Sequence, residues 1–507
     1  MDRFARLDWV SIFLAVAATL VGVIALYGGG VTGEDLAQKK LVWLILGVIV
    51  MLVFANINYQ LLGSFAPIIY AVGIFALLLV MVPFIGKEVK GARSWFSFLG
   101  VSFQPAELMK LVIVITLSKY LVLRESEIGK LKELIIPSVL ATVPALLIGI
   151  QPDLGGAVMF MAILFGMLFI GGANTAVLFG FAIIGFFAVF TPMFLEYERY
   201  VIVDDIYNAL KDDHFRLADA IRILNFEVWE VAENLNYNTR LVQDRNLVTW
   251  AKETLAAGEN LKIFWQAAAE IEKNSPSFLR DMLRNTTVMV TIGATGIFFY
   301  GLGVLGNFMT GAHWMRRVAN IMLIVGLSFT SGFMFNKFIN FKPHQVIRIV
   351  SFVNPDKFQK GAGYQLRHSL ITVGSGKFAG KGLFKGDMTK GDTPFLPEWY
   401  NDFIFSVVGE QMGFWGVTGL LLLLFGLILR AINIAVTSKD DFGAMLASGI
   451  ALIFFLHVFI NIGISLGLLP VTGIPLSFVS YGGSHMLLCF ICVGILINIY
   501  RRRFINA

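Results

Sequence analysis

The stretch LPEWYNDFIFSVVGEQMGFWGVTGLLLLLFGLILR (residues 396–430) places two acidic residues directly before a long apolar run. A helix that crosses a membrane needs about 20 predominantly apolar residues, and the run from 403 to 429 meets that length. Glu398 and Asp402 therefore lie at a predicted membrane boundary. Charged groups in and beside membrane spans are costly and mark functional sites by default, so these carboxylates are the first candidates for a functional role.

The composition is that of a membrane protein. Of the 507 residues, 57% are hydrophobic and 15% are charged, whereas an ordinary soluble domain has about 45–50% and about 25%. This predicts an all-α polytopic membrane protein, and no nucleic-acid partner is expected. The two cysteines, Cys489 and Cys492, lie inside one apolar run, which favours packing on a helix over a disulfide framework.

Apolar runs of suitable length predict about twelve transmembrane helices. The runs lie near residues 9–27, 41–57, 65–85, 108–123, 134–150, 155–171, 176–194, 287–306, 318–335, 403–429, 444–468 and 486–500. Basic residues cluster before the first run, between the eighth and ninth runs and after the last run. Because short cytoplasmic segments carry an excess of Lys and Arg, both termini are predicted to be cytoplasmic.

This topology predicts external segments at residues 86–107, 151–156, 195–286, 336–402 and 469–485. Segment 336–402 contains ten basic and five acidic residues, which departs from the usual charge bias of external loops. Two interpretations are equally supported. The cations either bind an anionic ligand such as a phosphate or pyrophosphate headgroup at the outer leaflet, or they belong to a solvated loop.

Segment 196–286 has a helical pattern of its own. Apolar residues from Ile206 to Val228 recur at intervals of three, four and seven residues, which is typical of an amphipathic helix. The segment shows neither a nucleophile motif nor a metal-ligand spacing. We therefore predict an inserted extracytoplasmic helical segment with a structural or partner-binding role.

Several polar residues lie within or beside the predicted spans. Glu107 and Lys110 are three residues apart, so they share a helix face and can pair; alternatively, they brace the helix end by snorkelling. Asp153 lies in QPDLGG (151–156), where its local context favours turn formation. LLPVTGIPLSFVSYGGSH (468–485) predicts a re-entrant turn that forms part of a site wall, because irregular backbone at this depth is tolerated only around cavities or inside protein.

His457 and Asn461 precede that turn by a few residues and are four apart on one predicted helix. They could line the same cavity, but interhelical hydrogen bonding is the better-supported role.

Asp402 has two interpretations. Taken alone, it is a favoured helix N-cap, and a negative charge suits a helix N-terminus. The functional alternative is a carboxylate at the outer boundary that takes a proton from a hydroxyl while nearby cations hold a phosphate. A general base of this kind contributes about 10²–10⁴-fold to rate.

Five sequence blocks resemble, in order, those of the SEDS (shape, elongation, division and sporulation) family of peptidoglycan glycosyltransferases. They are GARSWFSFLGVSFQPAELMKL (91–111), QPDLGG (151–156), GAGYQLRHSLITVGSGKFAGKG (361–382), LPEWYNDFIFSVVGEQMGFWG (396–416) and GLLPVTGIPLSFVSYGGS (467–484). The third block favours the elongation branch over the division branch. The resemblance covers about residues 1–195 and 336–507 and implies a ten-helix core, interrupted by an insertion at about 196–317.

The predicted division is therefore a first core part (1–195), the inserted helical segment (196–286), two additional transmembrane helices (287–335), a large catalytic loop (336–402) and a second core part (403–507). The resemblance implies an enzyme of the cytoplasmic (inner) membrane that polymerises lipid II into glycan strands at the outer face during cell elongation. Its implied partners are a class B penicillin-binding protein and other elongation-complex membrane proteins.

The resemblance also implies site residues. Asp402 is the implied catalytic base, which deprotonates the acceptor sugar hydroxyl. The candidate substrate-binding residues are Arg93, Glu107, Lys110, Asp153, Lys377, Lys381, Glu398 and Ser480. A divalent cation, Mg²⁺ or Mn²⁺, is compatible with the expulsion of a lipid pyrophosphate.

Some positions depart from the family pattern. Tyr400 and Asn401 replace a usual His-Thr pair, Lys377 replaces the last glycine of GSGG, Ser477 replaces a proline, and DMTKGDT (387–393) replaces a glutamine-containing stretch. These departures affect predicted substrate contacts more than the base. A lipid flippase and a non-catalytic scaffold for a transpeptidase are the alternative functions.

Overall fold

The computed structural model describes residues 7–89, 92–98, 101–151, 153–211, 282–338, 348, 351–353, 362–386 and 396–503. The chain forms two compact units: Met1–Leu178 with Ser351–Ala507, and Phe179–Val350. Most of the predicted inserted segment, residues 212–281, lies outside the described residues, as do four stretches of the predicted catalytic loop.

The described residues are predominantly helical. The helices are α1 (Trp9–Tyr27), α2 (Gly30–Asn56), α3 (Tyr59–Ser64), α4 (Ala66–Leu79), α5 (Pro105–Leu123), α6 (Ile135–Ile150), α7 (Leu154–Ile170), α8 (Thr175–Lys211), α9 (Thr286–Thr310), α10 (His313–Phe338), α11 (Ala362–Ser375), α12 (Ile404–Val436), α13 (Asp441–Ser465) and α14 (Gly483–Arg502). A short 3₁₀ helix, Leu131–Leu134, leads into α6.

The prediction of an all-α polytopic membrane protein is confirmed. Each of the twelve predicted runs coincides with a helix, and nine spans within the described residues have the length and hydropathy to cross a membrane. Helices α4 and α7 are apolar but shorter, and α5 contains Glu107, Lys110 and Lys119. Helix α8 continues to Lys211, so it runs through the predicted boundary at residue 195.

A small sheet follows α4 and was not predicted. Strands β1 (Gly86–Val89), β2 (Ala92–Phe98) and β3 (Val101–Phe103) pair antiparallel in the order β1-β2-β3. Aromatic side chains favour a pleated, half-buried surface, and β2 contains Trp95 and Phe96. The sheet leads directly into α5 and places Arg93 on its central strand.

Helix ends of the first unit meet at two opposite ends. At one end, the N-termini of α5, α7 and α14 lie together, because the Gln104 N–H donates to the Ser484 hydroxyl and the Gln104 side chain donates to Asp153. At the other end, Asp8 forms an ion pair with Arg430, and hydrogen bonds connect Tyr59 with Asp440 and Asn56 with Arg501. The Asp402 end of α12 therefore lies with the segments around residues 86–107, 151–156 and 469–485, opposite the end that contains Asp8 and Arg503.

Helix α14 forms the centre of the first unit. Its side chains are buried along almost the whole length from Ser484 to Ile499. It packs closely on α2, where side chains at Gly47 and Gly494 would overlap Phe490 and the backbone of Met51. The polar residues at the start of α14 therefore point into the protein rather than into lipid.

In the second unit, α9 and α10 form a tightly packed helical hairpin. Asn285 caps α9, and Gly311 ends it with a left-handed φ of 68°. Gly296 and Gly326 come into close backbone contact, as small residues commonly allow between membrane helices.

Candidate active site

Asp402 lies in a short turn, here called the Asp402 turn (residues 396–403), that leads into α12. Its backbone N–H donates to the Glu398 carbonyl oxygen at 3.1 Å, and Glu398 has a left-handed φ of 55°. Helix α12 begins after Phe403, which occupies the N-cap position and makes no side-chain capping bond. The capping position weighed for Asp402 thus belongs to Phe403, and the Asp402 side chain is partly exposed.

Three hydrogen bonds fix the backbone of this turn, two of them from the bend between α13 and α14 (residues 466–482). The Tyr481 N–H donates to the Tyr400 carbonyl at 2.9 Å, and the Ser480 hydroxyl donates to the Asn401 carbonyl at 2.5 Å. The third bond runs from the Asn461 side-chain amide to the Asp402 carbonyl at 3.0 Å. Asn461 also donates to the Ile474 carbonyl at 2.8 Å. Asn461 therefore has a hydrogen-bonding role, as predicted, but its partners are the backbone of the Asp402 turn and of the bend rather than another helix.

Ser480 is buried, and its hydroxyl also accepts from the Leu476 N–H at 2.8 Å. Its hydroxyl thus joins the Asp402 turn to the bend. Direct contact between Ser480 and substrate stays a prediction.

Gly473 of the bend faces the Asp402 carboxylate. A Cβ atom at Gly473 would lie 3.8 Å from Asp402 Oδ2. Gly473 has a φ of 77°, a conformation that glycine adopts without steric cost. The predicted re-entrant turn therefore forms one wall beside the candidate base.

Asp153 lies beside the same bend and caps α7. Its Oδ1 accepts from the Gly156 N–H at 2.8 Å, which is the turn-forming role that the sequence favoured. Gln104 donates to Asp153 Oδ2 at 3.4 Å. Gly155 lies against the Thr472 carbonyl oxygen, with which a side chain would overlap.

Two tyrosines flank the Asp402 turn as neutral phenols. Burial, together with the charge of Glu398 and a hydrogen bond to it, raises the pKa of Tyr400 to about 12. Burial also raises the pKa of Tyr481. Both phenols therefore stay protonated at physiological pH.

A chain of buried polar side chains connects α5, α13 and α14. It runs from the Pro475 carbonyl through His457, Lys110, Glu107 and His485 to Cys489, with successive distances of 2.9, 3.3, 2.6, 2.7 and 3.5 Å. The Pro475 carbonyl can only accept, so His457 carries its proton on Nδ1 and accepts from Lys110 through Nε2.

Glu107 accepts hydrogen bonds from both Lys110 and His485. The predicted pairing of Glu107 with Lys110 is therefore present, as a buried pair rather than a snorkelling one. Buried charges are tolerated when they are paired and hydrogen-bonded, and this network satisfies both conditions. His457 connects the network to the bend.

Glu107, His457 and His485 also form the one group of three potential metal ligands found within the described ranges. Their ligand atoms lie within 4.8 Å of one another. However, the Lys110 ammonium lies 2.6 Å from Glu107 and 3.3 Å from His457. A divalent cation there would meet that ammonium at short range, so the cluster does not fit the predicted Mg²⁺ or Mn²⁺.

The loop at residues 376–386 carries two of the predicted substrate-binding lysines, and their environments differ. Lys381 Nζ pairs with Glu410 Oε1 at 2.7 Å, and the two side chains are 27% and 0% exposed. The backbone N–H of Lys381 donates to the Glu410 carbonyl at 2.9 Å. The Lys377 side chain is exposed. Lys381 thus attaches the loop to α12, while Lys377 extends from it.

Arg93 is partly exposed and pairs with Glu88 at 3.3 Å. Exposed pairs of this kind are weak, so the guanidinium can exchange partners.

Of the predicted site residues, the structure brings Asp402, Glu398 and Ser480 together, joins Glu107 to Lys110, and places Asp153 at the bend.

His485 is a buried polar residue of this network that the sequence analysis did not single out. The available signal was a histidine directly after the glycines of the bend, at the start of an apolar run. Its partner Glu107 is 378 residues away in the chain, so no local pattern could identify the pair.

Comparisons with known proteins agree with the sequence blocks. The model of the FtsW/RodA/SpoVE family, described as a cell cycle protein, matches residues 6–222 and 262–504. The chain therefore belongs to the FtsW/RodA/SpoVE family. The matched stretches include α9 and α10, so they extend beyond residues 1–195 and 336–507, which the resembling sequence blocks cover.

Individual relatives carry related names. The chain is 27% identical over 504 residues to peptidoglycan glycosyltransferase RodA of Treponema pallidum, with 98% of each chain covered. It is 37% identical over 203 residues to peptidoglycan glycosyltransferase MrdB of Escherichia coli K12, covering 40% of this chain and 52% of the relative. A solved chain of a peptidoglycan synthase complex that coordinates polymerization and crosslinking shares the fold, with a TM-score of 0.57, 21% identity and 98% of both chains covered.

Proposed function

We propose that this chain, a peptidoglycan glycosyltransferase of the FtsW/RodA/SpoVE family, polymerises lipid II into glycan strands during cell elongation, with Asp402 as the general base. The single observation that carries the assignment of the base is the placement of its carboxylate. The side chain is partly exposed beside Gly473, while the backbone of the turn is fixed by Tyr481, Ser480 and Asn461.

In the proposed reaction, the Asp402 carboxylate takes the proton of the acceptor sugar hydroxyl. The hydroxyl oxygen then attacks the anomeric carbon of the donor, and the bond from that carbon to the lipid pyrophosphate breaks. A fixed backbone with a reachable carboxylate suits this step, because proton transfer requires a base within about 2.6–3.2 Å of the proton's heavy atom. Glu398 shapes the turn through its left-handed backbone.

The leaving pyrophosphate needs positive charge. Lys377 is exposed and Arg93 is partly exposed, which supports both as candidates for this role, whereas Lys381 pairs with Glu410. A divalent cation such as Mg²⁺ or Mn²⁺, if bound to the substrate, would add charge neutralisation there, and the Glu107 cluster is not its site. Glu107, Lys110 and Asp153 fix the helices and turns that surround the bend.

We further propose that the active end faces outward from the cytoplasmic membrane and that both termini are cytoplasmic. The arrangement of helix ends supports this proposal, because Arg501, Arg502 and Arg503 lie opposite the Asp402 end, and basic residues favour the cytoplasmic side. A class B penicillin-binding protein is the proposed partner, together with other elongation-complex membrane proteins. The solved chain that shares the fold belongs to a synthase complex that coordinates polymerization and crosslinking, and this supports the penicillin-binding protein as a partner.

The test uses purified protein and labelled lipid II. Asp402→Asn should reduce polymer formation by about 10²–10⁴-fold while the melting temperature stays that of the wild type. Asp441→Asn, an exposed acid in the first turn of α13, serves as the matched control and should polymerise normally. Near-normal polymerisation by Asp402→Asn would refute the base. Transport of labelled lipid II across reconstituted vesicles without polymer would instead favour a flippase.

A further inference from the structure

A buried lysine on α2 contacts the backbone of the bend. Lys40 lies ten residues after the start of α2 and is 1% exposed. Its Nζ donates to the carbonyl oxygens of Val479 and Ser480, the latter at 3.3 Å. No carboxylate lies within ion-pair distance of Lys40 among the residues that the structure describes. The ammonium is therefore held by backbone dipoles.

The surroundings of Lys40 form a closely fitted site. A side chain at Gly22 of α1 would overlap both Lys40 Nζ and the Val479 carbonyl oxygen. Helices α1 and α2 and the bend therefore converge on the ammonium. A charge inside a membrane protein is costly, and an apolar side chain of similar volume would avoid that cost.

The backbone that Lys40 contacts explains why a charge is useful there. Residues 476–481 are irregular backbone, and their carbonyl groups require donors that neither lipid nor a regular helix supplies. An ammonium offers three donors and no acceptor, so it can satisfy two adjacent carbonyls at once.

The segment that Lys40 contacts also forms hydrogen bonds to the Asp402 turn. The Ser480 hydroxyl donates to Asn401, and the Tyr481 N–H donates to Tyr400. We propose that Lys40 is a positioning residue: by fixing the Val479 and Ser480 carbonyls, it fixes Ser480 and Tyr481 against the turn and thereby the place of the Asp402 carboxylate. This inference rests on the proposed role of Asp402.

The experiment compares Lys40→Met with Lys39→Met in the full-length protein. Lys39 is the neighbouring residue but is 56% exposed and pairs with Asp35. Lys40→Met should lower kcat for lipid II polymerisation by about 10²-fold, because small misplacement of a catalytic group has an effect of this size, while KM stays near the wild-type value. It should also speed amide hydrogen exchange in peptides containing residues 476–482. Lys39→Met should change neither quantity.

A double variant separates positioning from general stability. If Lys40 acts through Ser480, then Lys40→Met combined with Ser480→Ala should lose no more kcat than the worse single variant. Losses that multiply, or a wild-type kcat and exchange rate in Lys40→Met, would overturn the proposal. If Lys40→Met does not fold, Lys40→Gln replaces it, and a wild-type kcat and exchange rate in that variant would equally overturn the proposal.

Asp402→Asn belongs in the same series. If it polymerises normally, the proposed base is wrong whatever Lys40 does. If it is inactive while Lys40→Met matches Lys39→Met, only the positioning role of Lys40 is wrong.

Discussion

The side-chain amide of Asn461 donates a 3.0 Å hydrogen bond to the backbone carbonyl of Asp402. The same amide nitrogen donates to Ile474 in the bend at 2.8 Å. One side chain on α13 thus holds both the turn that carries the candidate base and the wall that faces it. Both bonds are to backbone carbonyls, so Asn461 positions the turn and the wall rather than contacting the Asp402 carboxylate.

Replacing Asn461 by leucine should therefore impair catalysis as well as stability. Asn461→Leu removes donors from two carbonyls, and each buried unsatisfied group costs about 1–3 kcal/mol. We expect a lower kcat with KM for lipid II nearly unchanged, measured by polymerisation of labelled substrate.

The matched control is Asn498, which is buried on α14 at the opposite end and donates to the Ala55 carbonyl at 2.8 Å. Asn498→Leu should lower the melting temperature to a similar extent, yet the folded enzyme should keep its kcat. Equal kcat values for the two variants would contradict the assigned role of Asn461.

The two lysines of the 376–386 loop should respond differently to substitution. Lys381→Met removes a cation that pairs with the fully buried Glu410 carboxylate, at a cost of about 3–5 kcal/mol. We expect a large drop in melting temperature, partly restored by adding Glu410→Gln. Lys377→Met should melt like the wild type and raise KM for lipid II.

A wild-type melting temperature in Lys381→Met combined with a raised KM would show instead that Lys381 binds the substrate directly. Thermal melting and initial polymerisation rates at several lipid II concentrations distinguish these outcomes.

The positions of the membrane helices could be predicted from sequence because each span needs a long apolar run. The sheet at residues 86–103 was missed because strands of four, seven and three residues leave little periodicity to detect. Lys39 and Lys40 show the main limit. They are adjacent in the chain, yet one is exposed and the other contacts a carbonyl 439 residues away, and only packing determines which helix face meets the bend.

The local parts of the candidate site could be predicted from sequence, but their connection could not. The Asp402 turn and the bend were each recognisable from local motifs. Their connection through Asn461 and Ser480 depends on contacts 59 and 79 residues apart, which no local pattern reveals.

The opposite end of the first unit should show a measurable pH dependence at Asp440. Burial would raise the pKa of Asp440, but hydrogen bonds from Tyr59, Gly443 and Gln60 outweigh burial and lower the pKa below 3.8. A carboxyl whose pKa is lower in the folded state stabilises that state above its unfolded pKa and loses this effect as pH falls through the folded pKa. The stabilisation should therefore be complete at neutral pH and decline in the acidic range below about 4.

Asp440→Asn tests this point, because asparagine is also a good N-cap and mainly removes the charge. The difference in melting temperature between the wild type and Asp440→Asn should be constant from neutral pH to about 5 and narrow at lower pH. Asp441→Asn, at an exposed neighbouring position, should show no such trend. A difference that grows as pH falls would contradict the lowered pKa.

The buried Glu107–Lys110 pair should contribute more to stability than exposed pairs do. Their atoms lie 2.6 Å apart with side-chain exposures of 10% and 3%, so Glu107→Gln or Lys110→Met alone leaves a buried charge and should cost about 3–5 kcal/mol. The double variant should recover part of this loss, although Glu107 also accepts from His485 and Lys110 also contacts His457.

The control for this prediction is Lys130→Met, which breaks the exposed pair with Glu127 and should cost less than about 1 kcal/mol. Thermal melting of the four variants measures these differences, and additive losses in the double variant would show that the two charges do not act as a pair.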